Sequence, residues 1–162
     1  MNKTKLLDDL KSFTEEVTKD LILPVRAQKN NPDPKPRAAD VYKMRLPDSK
    51  SSTLKAPYIL HQVITGNDTQ PSGQRIDCRA TVRSIFVVYC EDEQEGGMNL
   101  LNLMERLRIA LLKQCVIGNQ YELNLQEGVE TMIYPDDTAP YFMGEMVTTW
   151  NLPPVQREVS FV

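Results

Sequence analysis

Residues 83–115 read RSIFVVYCEDEQEGGMNLLNLMERLRIALLKQC, and the other predicted elements can be arranged around them. Their first part, 85–90, is an unbroken run of β-branched, aromatic and other apolar residues, which predicts a central strand buried on both faces. After the acidic turn 91–95 and two glycines, the apolar period becomes helical. The residues on one helical face are Leu100, Leu103, Met104, Leu107, Leu111 and Cys115. This pattern predicts a helix from Met98 to about Val116 that lies across the sheet.

A second amphipathic helix is predicted over residues 3–22. Its apolar residues recur at steps of four and three, opposite a charged side: Leu6, Leu10, Phe13, Val17 and Leu21. Pro24 ends this helix. Two positions remain open for its apolar stripe, namely the second face of the chain's own sheet and the surface of a neighbouring subunit.

The connection over residues 25–55 is long and poor in apolar residues. Three prolines alternate over 32–36, which excludes a helix there and favours an extended connector. A short strand is possible over 40–46. Because loops of this length are usually functional or disordered, we expect the segment to become ordered only against a partner.

A long β-hairpin follows this connection. Residues 58–65 alternate as a strand, 66–73 are rich in turn formers, and a second arm over 74–90 returns. That arm would span about 56 Å at about 3.3 Å per residue, whereas a domain of this length is about 40 Å across. Either a bulge folds the arm back or the tip projects. A projecting tip would suit pairing across a subunit boundary, and its polar residues are Gln74, Arg75, Asp77 and Arg79.

Three further strands are predicted over 121–125, 129–134 and 141–150, with a turn over 135–140. The last strand places Phe142, Gly144, Met146, Thr148 and Trp150 on one face, which we expect to pack under the helix. The chain is thus predicted to be one α+β domain with a mostly antiparallel sheet. Its parts are an N-terminal helix (1–23), a Pro-rich loop (24–56), a core (57–154) and a C-terminal arm (155–162) that suits a final strand or contact with a partner.

The composition argues against several classes of function. The 162 residues include 19 basic and 22 acidic ones, so the net charge of −3 gives no electrostatic support for wrapping nucleic acid. No apolar run approaches the roughly 20 residues that span a bilayer, and no signal segment is seen. Cys78, Cys90 and Cys115 are far apart and odd in number, which favours buried thiols in a reducing compartment. We therefore expect a cytoplasmic protein that makes no membrane contact.

The sequence offers few candidates for catalysis. His61 lies inside a predicted strand, where a structural role is commoner than that of a base, and no motif places a nucleophile beside it. Asp136 and Asp137 stand in a proline-flanked turn that favours Asp for its backbone hydrogen bonds. Metal-ligand spacing and phosphate-binding glycine motifs are absent. We predict no catalytic residue, metal or cofactor.

The predicted helix over 98–116 carries more apolar surface than one sheet needs. Leu101 and Leu112 widen its apolar arc to more than half the circumference, and Ile109 lies among polar residues that include Arg106. Surplus apolar surface is typical of an interface. Ile109 and Arg106 therefore join the four hairpin residues as candidates for an oligomer interface.

Two stretches resemble a known family: 97–112, GMNLLNLMERLRIALL, and 134–158, YPDDTAPYFMGEMVTTWNLPPVQRE. They are similar to the central helix and C-terminal signature of the tail terminator, or tail completion, proteins of long-tailed phages and prophages. The strand that begins APYI at 56–59, with the hairpin after it, fits the same pattern. The resemblance covers about 57–158.

The resemblance implies a non-enzymatic minor tail protein that forms a ring, usually a hexamer. Such a ring caps the tail tube, contacts the major tail tube protein and the head-completion protein, and lets DNA pass through its lumen. The implied location is the neck of the virion, after assembly in the host cytoplasm. An acidic lumen is a further hypothesis. The alternatives are another neck, connector or adaptor protein and, remotely, a small enzyme whose site forms between subunits.

Overall fold

The fold combines two helices with one sheet, and the computed structural model describes residues 2–48, 53 and 55–159. The elements are α1 (Lys3–Thr18), β1 (Asp40–Lys43), β2 (Tyr58–Thr69), β3 (Asp77–Tyr89), α2 (Glu93–Gln114), β4 (Val116–Ile117), β5 (Tyr121–Leu123), β6 (Val129–Ile133) and β7 (Tyr141–Leu152). This arrangement confirms the predicted α+β class.

The sheet has the strand order β1-β2-β3-β7-β5-β4, and β6 also pairs with β7. The strand pairs are antiparallel, except that β1 runs parallel to β2. β5 pairs with β7 near Asn151, whereas β6 pairs with it over residues 144–148. β3 lies between β2 and β7, and its residues 86–89 are buried, so the predicted central strand is confirmed.

Both helices lie on the same face of the sheet. Leu6 and Leu10 of α1 belong to one core cluster with Leu103 and Leu107 of α2, and Phe13 packs against it. The proposed position of α1 on the second face is therefore wrong. That face instead carries a smaller cluster of Leu46, Ala56, Tyr58, Leu60, Val87, Tyr89 and Tyr141. A periodic stripe predicts that a helix is buried but not which face of a sheet buries it.

The predicted packing of β7 under α2 is confirmed. Met146, Thr148 and Trp150 are all at most 1% exposed, and the indole N–H of Trp150 donates to Thr148 Oγ1 at 2.9 Å. Gly144 lies against α2, because a Cβ there would come within 2.7 Å of Met104 Sδ. Glycine thus lets the helix approach this strand closely.

α2 begins earlier than predicted, at Glu93 rather than Met98. The Asp92 carboxylate accepts hydrogen bonds from the backbone N–H groups of Gln94 and Glu95, at 3.0 and 3.1 Å. This capping turns the expected acidic turn into the first helical turn. At the other end Cys115 has a positive φ of 59° and lies outside the helix, so its predicted place on the helical face is wrong.

The hairpin is paired further than the sequence predicted. Residues 66–69 were expected in a turn, but they form the end of β2 and pair with residues 77–80 of β3. The second arm is correspondingly shorter and starts at Asp77 rather than Gln74. A bulge occurs at Ile64, in the first arm rather than the second. Because β3 also pairs with β7 as far as Cys78, only residues 70–76 extend past the paired strands.

The first part of the Pro-rich connection packs against its own domain. Leu23 is buried and forms a β-bridge with Arg37. The Arg37 guanidinium donates to the carbonyls of Lys55 and Pro57, at 3.0 and 3.1 Å. The part of the connection around Arg37 thus contacts its own chain, while the expectation that residues 25–55 become ordered only against a partner stays a prediction. Residues 49–52 and 54, where a loop was predicted, lie outside the described residues.

Two other boundaries differ slightly from the predictions. The strand expected over 40–46 ends at Lys43, because Met44 takes a positive φ of 63°. The C-terminal arm has no strand over residues 155–159. Its last three residues lie outside the part of the chain that the structure describes.

Candidate assembly surfaces

His61 has a structural place inside the domain. The Thr14 hydroxyl donates to the Leu10 carbonyl, so it accepts from His61 Nε2–H at 2.9 Å, and Ser84 then donates to Nδ1 at 2.7 Å. Burial lowers the pKa of His61 to about 3. The neutral ring therefore joins α1 to β2 and β3, in agreement with the predicted structural role.

The other residues considered for chemistry lie apart. Cys78 and Cys90 are buried, as predicted, whereas Cys115 is partly exposed. Asp137 accepts a hydrogen bond from the Ala139 N–H at 3.3 Å, as its turn predicts. Among the described residues no three His, Cys, Asp or Glu side chains are grouped to hold a metal ion.

The hairpin tip forms a first candidate surface together with the C-terminal arm. Gln74 and Arg75 line an open hollow with residues 154–157. Arg157 donates to Gln70 Oε1 at 3.0 Å and so attaches the arm to the tip. Val155, in the same hollow, is 68% exposed. We call residues 70–76 and 154–157 the tip surface.

Asp77 and Arg79 bind within the chain rather than projecting from the tip. The Arg79 guanidinium lies 2.9 Å from Asp77 Oδ2 and 3.2 Å from Glu127 Oε1, and these carboxylates raise its pKa. Both residues lie on β3, where Arg79 is opposite Asn67 on one side and Asn151 on the other. These two interface candidates therefore stand inside the sheet, with their charges partly paired.

The second candidate surface is a groove between the two helices. Ile109 and Arg106 line it together with Val17 and Leu21 of the α1 side, and Ile109 is 42% exposed. We call this feature the helix groove. Leu101 and Leu112 are also exposed on α2, as the surplus apolar arc predicted. The structure therefore places the six candidates in three separate locations: the helix groove, the tip surface and the end of β3.

The sequence reasoning missed two open strand edges. Among the described strands β2 has no second neighbour after His61, since β1 ends there, and residues 64–69 of β2 are exposed. β6 pairs with β7 on one side, and its residues 130–133 are exposed. We call residues 64–69 the β2 edge and 129–133 the β6 edge. One signal was available: β6 contains neither lysine nor proline, which commonly protect an edge.

No family model matches the chain, and no curated protein is found to match it. Neither helix, within the described residues, is both long and apolar enough to cross a membrane.

Proposed function

We propose that the protein is a non-enzymatic structural component of a long-tailed phage or prophage. Copies of the chain form a ring, a hexamer by our proposal, that caps the tail tube and joins the tail to the head. The proposal starts from the resemblance over 97–112 and 134–158. These two stretches form most of α2 and β7, which pack on each other through Gly144 and Met104.

The observation that supports assembly is the surface left over after the domain has formed its core. Ile109 is exposed in the helix groove, and Met132 and Ile133 on the β6 edge are each 48% exposed. Apolar groups on open strand edges favour pairing with another chain. The two edges differ from each other, so a contact between them is head-to-tail, and such contacts close into rings when the rotation permits.

In this proposal the two faces of the ring have different partners. One face binds the end of the tube built by the major tail tube protein, and the other binds the head-completion protein. DNA passes through the lumen as cargo. The net charge of −3 fits a lumen that repels the DNA backbone rather than holding it. The protein would act in the neck of the virion after assembly in the host cytoplasm.

The first test is the mass of the purified full chain in solution, measured by size-exclusion chromatography with light scattering. A hexamer of 18.5-kDa chains has a mass of about 111 kDa. A chain that remains near 18.5 kDa at high concentration would instead favour a monomeric adaptor of the head-to-tail junction.

The second test uses tail tubes purified from the phage or prophage that encodes the chain. Negative-stain images should show a ring on one end of each tube after the protein is added, because only one tube end presents the matching surface. Binding along the sides of the tubes, or no binding at all, would contradict a terminator. A phage without the gene should yield tails that are not joined to heads.

A further inference from the structure

We infer that successive copies join edge to edge, with the β6 edge of one copy added as an antiparallel strand to the β2 edge of the next. The inference rests on the proposed ring and names the contact that builds it. It follows from the hydrogen-bond direction of both edges, from an apolar hollow beside one of them, and from the offset between them.

The β6 edge presents unpaired backbone groups to the outside. The N–H of Tyr134 donates to the Met143 carbonyl at 3.0 Å, so Tyr134 faces β7 and alternate residues face away. Val129, Thr131 and Ile133 therefore point their N–H and C=O groups outward. Within the described chain they make no backbone hydrogen bond on that side.

The β2 edge is open in the same way. The N–H of Cys90 donates to the Pro140 carbonyl, so the even-numbered residues of β3 face β7 and the odd-numbered ones face β2. Asn67 lies opposite Arg79 and thus faces β3. Its neighbours Gly66 and Asp68 must then direct their backbone groups outward. β1 does not cover them, because its pairing with β2 ends at Lys43 opposite His61.

An apolar hollow lies beside the β2 edge on the helix side of the sheet. It is lined by Leu7, Met44 and Val63, among other residues. On β6, Ile133 is opposite Gly144, so its side chain is on the helix side as well. Placing Thr131 opposite Gly66 aligns the outward backbone groups of both edges and brings Ile133 next to the hollow. This register satisfies the hydrogen bonds and the apolar contact together.

The offset between the edges is compatible with a closed ring. The two edges can be compared along β7. Gly66 pairs with Ala80, which pairs with Trp150 of β7, whereas Thr131 pairs with Met146 of β7. The four residues between these levels amount to about 13 Å, and four strand spacings separate one copy from the next, about 19 Å. If the strands are tilted by about 35° to the ring axis, a shift of about 13 Å along the strands over about 19 Å across them leaves neighbouring copies at the same height. Copies related by rotation alone can then pair in this register, and strands of closed barrels have tilts of this size.

Cysteine cross-linking tests the pairing directly. In the inferred register Glu130 stands opposite Asn67 as a non-hydrogen-bonded pair, whose Cα atoms are about 4.5 Å apart, within the range of a disulfide. We would prepare Asn67→Cys and Glu130→Cys chains separately, each with Cys115→Ser because Cys115 is partly exposed. Within one chain the two positions are three strand spacings apart, about 14 Å, too far for a disulfide.

Mild oxidation of the mixed variants should give a cross-linked dimer. Its yield should exceed by at least about tenfold that of a control mixture of Asn67→Cys with Glu16→Cys, because pairing holds the two thiols at a high effective concentration. Glu16 is exposed on α1, away from both edges. A chain that carries both cysteines should give a ladder of oligomers that ends at the size of the ring.

The outcomes separate this inference from the proposed function. Rings that form without the mixed cross-link, or that cross-link in the Asn67→Cys variant alone, would overturn the edge pairing and leave the ring intact. A chain that forms neither rings nor cross-links would overturn both. As a second measure, Thr131→Pro removes an outward N–H that makes no hydrogen bond to the described part of the chain, so it should lower the share of chains in rings while the folded monomer remains.

Discussion

The two ends of β2 show what the helices contribute to this fold. Tyr58–His61 is buried on both sides, with β1 beside it and α1 above it, whereas residues 64–69 of the same strand are all exposed. Both ends pair with β3, on either side of the bulge at Ile64. The difference in burial therefore comes from the elements packed on β2. α1 begins at Lys3, whose side chain lies over Gly66, so the helix does not extend over the rest of the exposed end. Pairing with β3 thus keeps both ends of β2 in strand conformation. The helices and β1 determine which end is buried and which end stays accessible to another chain.

The covered region should be the most sensitive to substitution, and Trp150 tests this most strongly. Trp150 is fully buried between the sheet and the helices. Trp150→Ala should lower the free energy of unfolding by about 3–5 kcal/mol, since it removes a large buried side chain and leaves a cavity. Chemical denaturation measures the loss. Val155→Ala, at an exposed site, is the control, and a loss below about 1 kcal/mol for Trp150→Ala would contradict the burial.

Two adjacent glycines sharpen the comparison within one helix. A Cβ on Gly96 would overlap the ring of Phe142, whereas nothing lies within 4 Å of a Cβ on Gly97. Gly96→Ala should therefore cost about 1–3 kcal/mol through overpacking. Gly97→Ala should instead gain about 0.5–1 kcal/mol, because alanine favours a helix interior. Thermal or urea unfolding of the two variants would show opposite signs, and equal effects would place Phe142 elsewhere.

His61 lies at the boundary between the covered and the open part of β2, and it makes the covered part sensitive to pH. Its pKa is about 3 in the fold, below the value of 6.5 for a free histidine. As the pH falls below about 6.5, the unfolded chain binds a proton that the folded chain does not, so stability declines towards pH 3. We expect the free energy of unfolding to be about 2 kcal/mol lower at pH 5 than at pH 7.

Urea unfolding at both pH values measures this loss, and His61→Gln is the control. Glutamine keeps a hydrogen-bonding side chain but does not titrate, and the sequence has no other histidine. The variant should be less stable overall, with a much smaller difference between pH 5 and pH 7. An unchanged pH dependence in the variant would assign the effect to other groups.

The sequence predicted the covered part of the fold better than the open part. The apolar run 85–90, the stripe through Leu103 and Leu107, and the face of Trp150 were all recognised, because burial imposes a period on the sequence. The turn-forming residues at 66–69 predicted a turn rather than a strand, but pairing with residues 77–80 outweighed that local preference. The start of α2 depended on capping by Asp92, which a window of apolar residues does not register.

The candidate surfaces show the same limit. Gln74, Arg75, Ile109 and Arg106 line open hollows, and their place in an oligomer interface stays a prediction. The Arg79 guanidinium pairs with Asp77 and also with Glu127, a partner 48 positions away. Open strand edges were missed because an edge is defined by absent neighbours, which depend on the order of strands in the sheet. No local pattern in residues 129–133 carries that order.

Ile109→Ser is expected to have the smallest effect on the stability of the monomer, so any change it causes in the oligomer can be assigned to assembly. Ile109 is exposed in the helix groove, whereas Leu107, two positions earlier, is fully buried. Ile109→Ser should change the free energy of unfolding of the monomer by less than about 0.5 kcal/mol, while Leu107→Ser should cost several times more because it buries a hydroxyl in the core. If the helix groove belongs to the contact between copies, Ile109→Ser should also lower the average mass in light scattering at a fixed concentration. A ring of full mass formed by Ile109→Ser would place the groove outside that contact and leave the strand edges as the surfaces that join the copies.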